Sequence, residues 1–416
     1  MNKISLINLG CARNLVDAQG ILGRLEEKEF QIVTVDQADT VIINTCGFIK
    51  DAKQESIDAI LDAIDLKKSG KIHRIIVAGC LSQRYAGELQ KEFPEVDAFV
   101  GVPQLLQESV VKQTSLTPDY MTYLKVCESC YNLCAFCVIP KIKGRFSSRS
   151  MDSVLEEVRL MDRRGVKELN IIGQDTTAYG LDLYREKRLA KLLRAIAREV
   201  KEIHWIRLLY TFPSHITDEL LDVIAEEKNI CKYIDVPFQH VSDKILRGMN
   251  RAATLKGTYA LVEKIRKRIP GAKIRSAFIV GFPGEGKAEF DELMAFVRWG
   301  RLDRVGVFTY SPEEGTPAFS MPDQIDDDVK ELRRDRLMCL QQQISKELNE
   351  KMIGHEMEVL VEGYDEDRGM FFGRSQFDAP DVDGLVYIRS KRKLEEGSFV
   401  QVKIMGAEEY DLIATN

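Results

Sequence analysis

Short apolar runs alternate with helix-period stretches over the first hundred residues. ISLINL, TVIINT, RIIVAG and DAFVGV read as strands, and Ser56 to Leu66 and Gln83 to Phe93 read as helices. This alternation predicts a parallel sheet with helices on its faces, because parallel strands need a crossover between them. From Gln107 to Pro118 the chain is largely polar and carries no period, which predicts a linker. A second β/α series follows in YLKV, ELNIIG, IRLLY, YIDVPF, IRSAFIV and VGVFTY, with helical patterns between them such as Ser153 to Arg164 and Leu189 to Glu199. Six such units predict a partial (β/α)6 barrel with its chemistry at the C-terminal strand ends. Asp326 to Asp328 can cap a long polar helix running to Lys351. Beyond Met357 the pattern turns to MEVLVEGY, MFFGRS, GLVYI and SFVQVKIMGA, the alternation of a small antiparallel β-barrel. The expected class is α/β. Its parts are an N-terminal parallel-sheet domain over 1–103, a linker over 104–120, the partial barrel over 121–325, a helical connection over 326–352 and the small β-barrel over 353–416.

Composition narrows this picture. A chain of 416 residues exceeds one ordinary core, and 44% apolar with 30% charged residues is a soluble globular balance. No run of about 18 apolar residues exists to span a membrane. The N-terminus runs straight into a strand pattern without a leader signature, so the expected location is the cytoplasm. Nine cysteines in such a chain are poor material for a disulfide framework and point to core packing, metal ligation or catalysis. A net charge of −6 weighs against a chain built mainly to grip nucleic acid.

Four of the nine cysteines crowd between Cys127 and Cys137. Cys130, Cys134 and Cys137 stand in CYNLCAFC, a CxxxCxxC spacing on a loop after a strand. Three thiolates hold three irons of a cubane and leave the fourth iron without a protein ligand. S-adenosylmethionine can chelate that open iron through its amino and carboxylate groups. One electron then cleaves its carbon–sulfur bond to a radical able to take hydrogen from an unactivated carbon. The competing reading is zinc bound with the help of Cys127. Zinc modules, however, separate their CxxC pairs by about 12–20 residues, and here three intervene. Cys127 reads better as a core residue at a strand end. Cys11, Cys46 and Cys80 are distant in sequence, yet each ends a predicted strand, in INLGC, IINTC and VAGC. Parallel strands open their carboxyl ends onto one crevice, so these three either converge there as a second open cluster site or are buried core cysteines.

Other signals are weaker. Gly281, Gly284 and their neighbours in GFPGEGKA nearly satisfy a phosphate-binding loop, but Ala288 replaces the metal-binding hydroxyl and Pro283 removes a cradling N–H. The alternative is a glycine turn that admits the adenosine part of a cofactor. Gly173, Gln174 and Asp175 end a barrel strand and form either a capped turn or a contact to cofactor or substrate. The basic run with Lys141, Lys143 and Arg145 either faces an anionic partner or is a solvated loop. His240 in PFQH is a wall residue or a catalyst, and Cys231 and Cys339 read as core or surface residues.

The chain resembles the methylthiotransferases of the radical S-adenosylmethionine superfamily along essentially its whole length. NLGCARNLVDA, IINTCGFI, VAGCLSQRY, the cysteine loop and FIVGFPGE carry the likeness. QDTTAYGLDLY, LLYTFPSHITDELLDVIAEE, KYIDVPFQH and GRSQFDAPDVDGLVYI resemble the branch that modifies ribosomal protein S-twelve of the small subunit, and not the tRNA branch. The resemblance implies two [4Fe-4S] clusters, one on each cysteine triad. It also implies S-adenosylmethionine as methyl donor and radical source, a sulfide or polysulfide sulfur source, an external one-electron reductant and a terminal domain of TRAM type. The implied product is a methylthio group on the β-carbon of one aspartate of the ribosomal protein. Alternatives are the same chemistry on a tRNA adenosine, and a cluster carrier without turnover. The sequence departs from the branch at Cys127 and Ser129, at Leu133 where arginine is frequent, and at Gly286. From Ile353 onward fourteen acids face seven bases, a net charge of −7 that leaves +1 for the rest. That imbalance predicts a terminal barrel that attracts a basic protein and holds nucleic acid only secondarily, unless the acids serve solubility alone.

Overall fold

Strands buried on both faces dominate the first hundred residues, and they pair as parallel strands must, through helical crossovers. The computed structural model describes residues 3–26, 30–102 and 115–416. Strands β1 (Lys3–Asn8), β2 (Gln31–Ile32), β3 (Thr40–Thr45), β4 (Arg74–Gly79) and β5 (Ala98–Phe99) form one sheet in the order β2-β1-β3-β4-β5. Every ladder in it is parallel. Helices α1 (Ala12–Glu26), α2 (Lys50–Lys68) and α3 (Cys80–Glu92) make the crossovers. Val41, Ile43, Ile60, Ile64, Ile75 and Val77 form the core. The two-residue β2 carries too little pattern to be read from sequence. Of the expected linker, residues 104–114 lie outside the described residues.

The central unit begins with β6 (Met121–Lys125) and a short hairpin of β7 (Cys127–Glu128) and β8 (Ser147–Ser148), with α4 (Ile139–Lys143) inside it. Then come α5 (Met151–Arg163), β9 (Glu168–Ile172), α6 (Leu181–Tyr184), α7 (Leu189–Glu199), β10 (Trp205–Leu208), α8 (Asp218–Glu226) and β11 (Tyr233–Asp235). The series closes with α9 (Asp243–Gly248), α10 (Leu255–Arg268), β12 (Lys273–Val280), α11 (Lys287–Gly300) and β13 (Arg304–Thr309). All six expected strands are present and parallel, as two sheets of order β10-β9-β6 and β11-β12-β13. Between the halves the ladder thins to the Ile206–Ile230 bridge. The runs IRLLY and YIDVPF are shorter as strands than their patterns. Tyr210 turns left-handed at φ 59°, and Pro237 has no N–H to donate to a ladder.

Helix α12 (Asp327–Glu350) leads to a closed barrel of β14 (Glu356–Asp365), β15 (Met370–Ser375), β16 (Val386–Arg389), β17 (Phe399–Ala407) and β18 (Leu412–Thr415), ordered β14-β15-β16-β18-β17. Four of its pairings are antiparallel, and β16 with β18 is parallel. The β15–β16 loop plugs the N-terminal mouth of the central barrel. Ala379 packs with Tyr123, Cys231 and Tyr233, Asp383 accepts from Tyr233 Oη at 2.6 Å, and Asp378 pairs with Arg304 at 2.7 Å. Arg374 adds a fully buried tie to Glu168, which also holds Arg207 at 2.9 Å. Glu362, Asp378 and Asp383 are therefore spent on internal ion pairs, which reduces the acidic excess that the terminal barrel shows to solvent.

Candidate active site

Strands β1, β3 and β4 lie side by side, with Asn8 opposite Asn44 and Thr45 opposite Gly79, so the residues after them emerge at one edge. Cys11, Cys46 and Cys80 are those residues. Gly10 lets the first loop touch the second: its φ is +92°, and a Cβ there would stand 2.9 Å from Cys46 Cβ. Gly47 does the same toward α3, where a Cβ would meet Leu81 Cα at 2.7 Å. Ser56 Oγ pins Cys46, accepting from its N–H at 3.1 Å and donating to its carbonyl at 2.9 Å. Asn14 Nδ2 ties the loops together by donating to the carbonyls of Leu9 at 3.0 Å and Thr45 at 3.2 Å. Its Oδ1 accepts from Cys80 Sγ at 3.7 Å. Burial pushes the Cys46 thiol up and that of Cys80 up to about 12. Burial also raises Cys11, but the Arg13 guanidinium and the N–H groups of Asn14 and Arg13 more than reverse it, to about 7.

The second triad sits on the loop held between β7 and β8, where Cys127 pairs with Ser148 and Glu128 with Ser147. Cys130 Sγ receives two donors from Asn132, the backbone N–H and the side-chain Nδ2, both at 3.4 Å. Asn132 is itself oriented by Asp175 Oδ2 at 2.7 Å, which also takes His215 Nδ1 at 2.9 Å. Arg251 donates to Cys134 Sγ at 3.6 Å while lying 4.2 Å from the Phe212 ring centroid. Burial pushes the Cys137 thiol up to about 12. Among the described residues no three His, Cys, Asp or Glu side chains converge as ligands of a single metal ion. Ligands of a cubane are spread around its corners, and donors aimed at Cys11, Cys130 and Cys134 are the hydrogen bonds that cluster thiolates receive.

The elements that carry the two triads pack against each other. Val138 and Ile142, just past Cys137, pack on Cys80. Lys143 and Lys125 of the central unit meet Asp17 of α1 in a buried network with Glu128, with Lys143 Nζ at 2.7 Å from Asp17 and Lys125 Nζ at 2.6 Å from Glu128. On the other flank Lys53 and Arg84 both hold buried Glu313 at 2.8 Å. Arg13 spans the gap. Its Nε donates to Cys11 Sγ at 3.3 Å, its Nη1 reaches the Gly173 carbonyl at 3.5 Å, and its guanidinium lies 4.4 Å from the Tyr210 ring centroid.

Other residues singled out from the sequence fall as follows. Gly173 passes over Cys127, whose Sγ would stand 2.5 Å from a Cβ there. Cys127 is fully buried in the barrel core. Gln174 Nε2 donates to Glu128 at 3.4 Å, and its Oε1 is buried without a partner among the described residues. Asp175 is the buried anchor of Asn132 and His215. Gly281, at φ +73°, has the Lys330 side chain where a Cβ would go, whereas Gly284 borders open space. The GFPGE loop carries its own anion. Glu285 Oε2 accepts from the Gly281 N–H at 2.9 Å, and its Oε1 pairs with Arg333 at 2.9 Å. A phosphate would have to displace that carboxylate, which removes the nucleotide-loop reading. His240 is a wall residue, fully buried, accepting the Ser242 N–H on Nδ1 at 3.0 Å. The basic run is not solvated throughout, since Lys143 is buried in ion pairs. Cys231 is buried and Cys339 exposed.

Sequence reasoning missed Arg13, Asn132, His215, Tyr210 and Arg251. Only Arg13 carries a readable signal: a cation in the first turn of a helix opposes the helix dipole and asks for a reason. The others are placed by loops whose path no periodicity encodes.

Comparison with known proteins agrees with this geometry. Residues 3–101 match the uncharacterized protein family UPF0004, 124–297 the radical SAM superfamily and 353–416 the TRAM domain. The ribosomal protein uS12 methylthiotransferase RimO of Clostridioides difficile is 45% identical over 438 residues, covering 99% of this chain and 98% of that one. Its namesake from Desulforamulus reducens is 46% identical over 440 residues, covering 99% of both. Among solved structures, the radical S-adenosylmethionine methyltransferase TsrM from Kitasatospora setae gives a TM-score of 0.56 at 16% identity, over 76% of this chain and 77% of that one. The cobalamin-dependent radical enzyme OxsB gives 0.51 at 13% identity, over 83% and 56%. These two likenesses speak to fold alone. Full-length identity of this order, together with the three family matches in the order found along the chain, places it in the RimO family of ribosomal protein uS12 methylthiotransferases, enzymes of the radical SAM superfamily.

Proposed function

We propose that this chain replaces one hydrogen on the β-carbon of an aspartate of ribosomal protein uS12 with a methylthio group. The observation that supports the reading is proximity: Val138 and Ile142, just past Cys137, pack on Cys80, and Arg13 links Cys11 Sγ to the Gly173 carbonyl of the central unit. Removing hydrogen and delivering sulfur at the same carbon requires both centres to reach that carbon. Four-iron clusters on the two triads, with S-adenosylmethionine at the open iron of the second, would supply the carbon radical and the methylated sulfur.

The chain's own residues position that chemistry. Asn132, held by Asp175, and Arg251 aim donors at the thiols of Cys130 and Cys134. Gln174 Oε1 is an acceptor free for the ammonium group of S-adenosylmethionine. Gly173 and Asp175 shape the same strand end, and Gly284 offers open backbone on the facing loop. Ion pairs at Asp17 and Glu313 tie the first domain to the central unit beside both triads. An external one-electron reductant and a sulfide or polysulfide source complete the requirements. Among the described residues no helix is long and apolar enough to cross a membrane.

Mass spectrometry of ribosomal protein uS12 and of tRNA from cells lacking the gene tests the reading. Loss of the methylthio group from uS12 with tRNA unchanged is expected. Loss from a tRNA adenosine with uS12 unchanged would transfer the function to the nucleic acid.

A further inference from the structure

Among the described residues Arg13 and Arg251, cations beside the triads, lack a carboxylate partner. Both terminal nitrogens of Arg251 are engaged, by Cys134 Sγ at 3.6 Å and by the Pro237 carbonyl at 2.8 Å, whereas Arg13 keeps one terminal nitrogen free. Lys125 and Lys143 are matched by Asp17 and Glu128. Arg275 is matched by Asp235 at 3.2 Å and by Asp383. Arg13 has no carboxylate partner among the described residues. Its contacts are a thiol, a carbonyl and an aromatic face. Arg13 also lies in the first turn of α1, where the helix N-terminus adds positive potential instead of relieving it. Two of its nitrogens are held in place, and Nη2 has no hydrogen-bond partner among the described residues. The platform beneath it is built deliberately: Tyr210 is kept left-handed at φ 59° by Asp235 Oδ2, which accepts its N–H at 2.8 Å, and by Thr176 N–H, which donates to its carbonyl at 3.0 Å.

A fixed guanidinium with a free nitrogen, set between Cys11 Sγ and the Gly173 carbonyl, has the donor geometry that receives a carboxylate. We propose that Arg13 binds the carboxylate of the target aspartate and thereby selects an acidic side chain over its amide or a nucleobase. This rests on the reading of uS12 as substrate. Holding the carboxylate, one bond from the β-carbon, fixes which hydrogen faces Cys130, Cys134 and Cys137 and which lobe faces Cys11, Cys46 and Cys80. The competing role for Arg13 is counter-charge to the Cys11 thiolate alone.

The test compares reconstituted wild type, Arg13→Gln and Arg13→Lys, each with a synthetic peptide of the uS12 target loop carrying Asp or Asn at the modified position. Iron content and peptide affinity are both measured. The wild type is expected to prefer the Asp peptide by tenfold or more, on the order of 1.4 kcal/mol. Arg13→Gln should keep its iron and bind both peptides alike, and Arg13→Lys should retain part of the preference. Unchanged preference in Arg13→Gln overturns the proposal. So does loss of iron in both variants, which would make Arg13 a support of the cluster. A wild type that binds neither peptide while tRNA is modified would instead overturn the substrate reading.

Discussion

Lys143 Nζ lies 2.7 Å from Asp17 Oδ2, and each residue stands six positions past a cysteine of its own triad, Cys137 and Cys11. The pair is buried, with Lys125 and Glu128 completing a network of two cations and two anions. Its equal charges let it persist away from water, and its members come from two domains, so it registers one triad against the other.

Removing one anion should expose that role. Asp17→Asn leaves an excess buried cation and is expected to cost about 3 kcal/mol, the range found when one partner of a buried pair is lost. Urea unfolding measures this. Product formed per S-adenosylmethionine consumed should also fall in the folded variant, because the triads lose register. A stability change within 0.5 kcal/mol or so would place the pair among surface-like contacts.

Asn132 gives Cys130 two hydrogen bonds, and Asn132→Ala keeps only the backbone one. Donors to cluster sulfur favour the reduced, more negative state. The variant should therefore retain its iron, show a more negative midpoint in a redox titration, and lose about 10- to 100-fold in activity. An unchanged midpoint would contradict the assignment of Cys130 as a ligand.

Cys127 lies buried under Gly173 and outside both triads. Cys127→Ala should keep full iron and lose about 1 kcal/mol of stability from the small cavity. A drop in iron would show that this thiol, not one of its neighbours, binds the cluster.

Acid should act on the tie between the central and terminal barrels. Burial pushes the Glu168 carboxyl up, and Arg374 and Arg207 more than reverse it, so it lies below the ordinary range in the folded chain. Such a group stabilises fully above its unfolded value, about 4.3, and loses that contribution as pH falls through the lowered one. Glu168→Gln should be less stable at pH 7 by about 3 kcal/mol and show a shallower loss of stability between pH 4.5 and 3. An identical acid profile in both proteins would mean that other carboxylates govern the response.

Elements with a strong period were legible in the sequence, which shows all six central strands and the parallel sheet before them. Cys11, Cys46 and Cys80 could be grouped because strand ends in a parallel sheet share an edge. Strand β18 was not readable, since its place is set by a parallel pairing to β16 across a distant connection. Nor could the barrel plug be seen: in QFDAPDVDG nothing marks Ala379 as buried or Asp383 as partner to Tyr233. Lys143 reads as one more solvated base in KIKGR until Asp17, far away in sequence, is brought beside it.

The central claim is that the two triads perform separable steps. Cys46→Ala tests it directly, with 5′-deoxyadenosine and methylthio product measured in the same reconstituted sample. Iron is expected to fall from about eight to about four per chain, deoxyadenosine to form still, and the methylthio product to vanish. Loss of deoxyadenosine formation with the cluster of Cys130, Cys134 and Cys137 intact, or methylthio product at the wild-type level, would contradict the account.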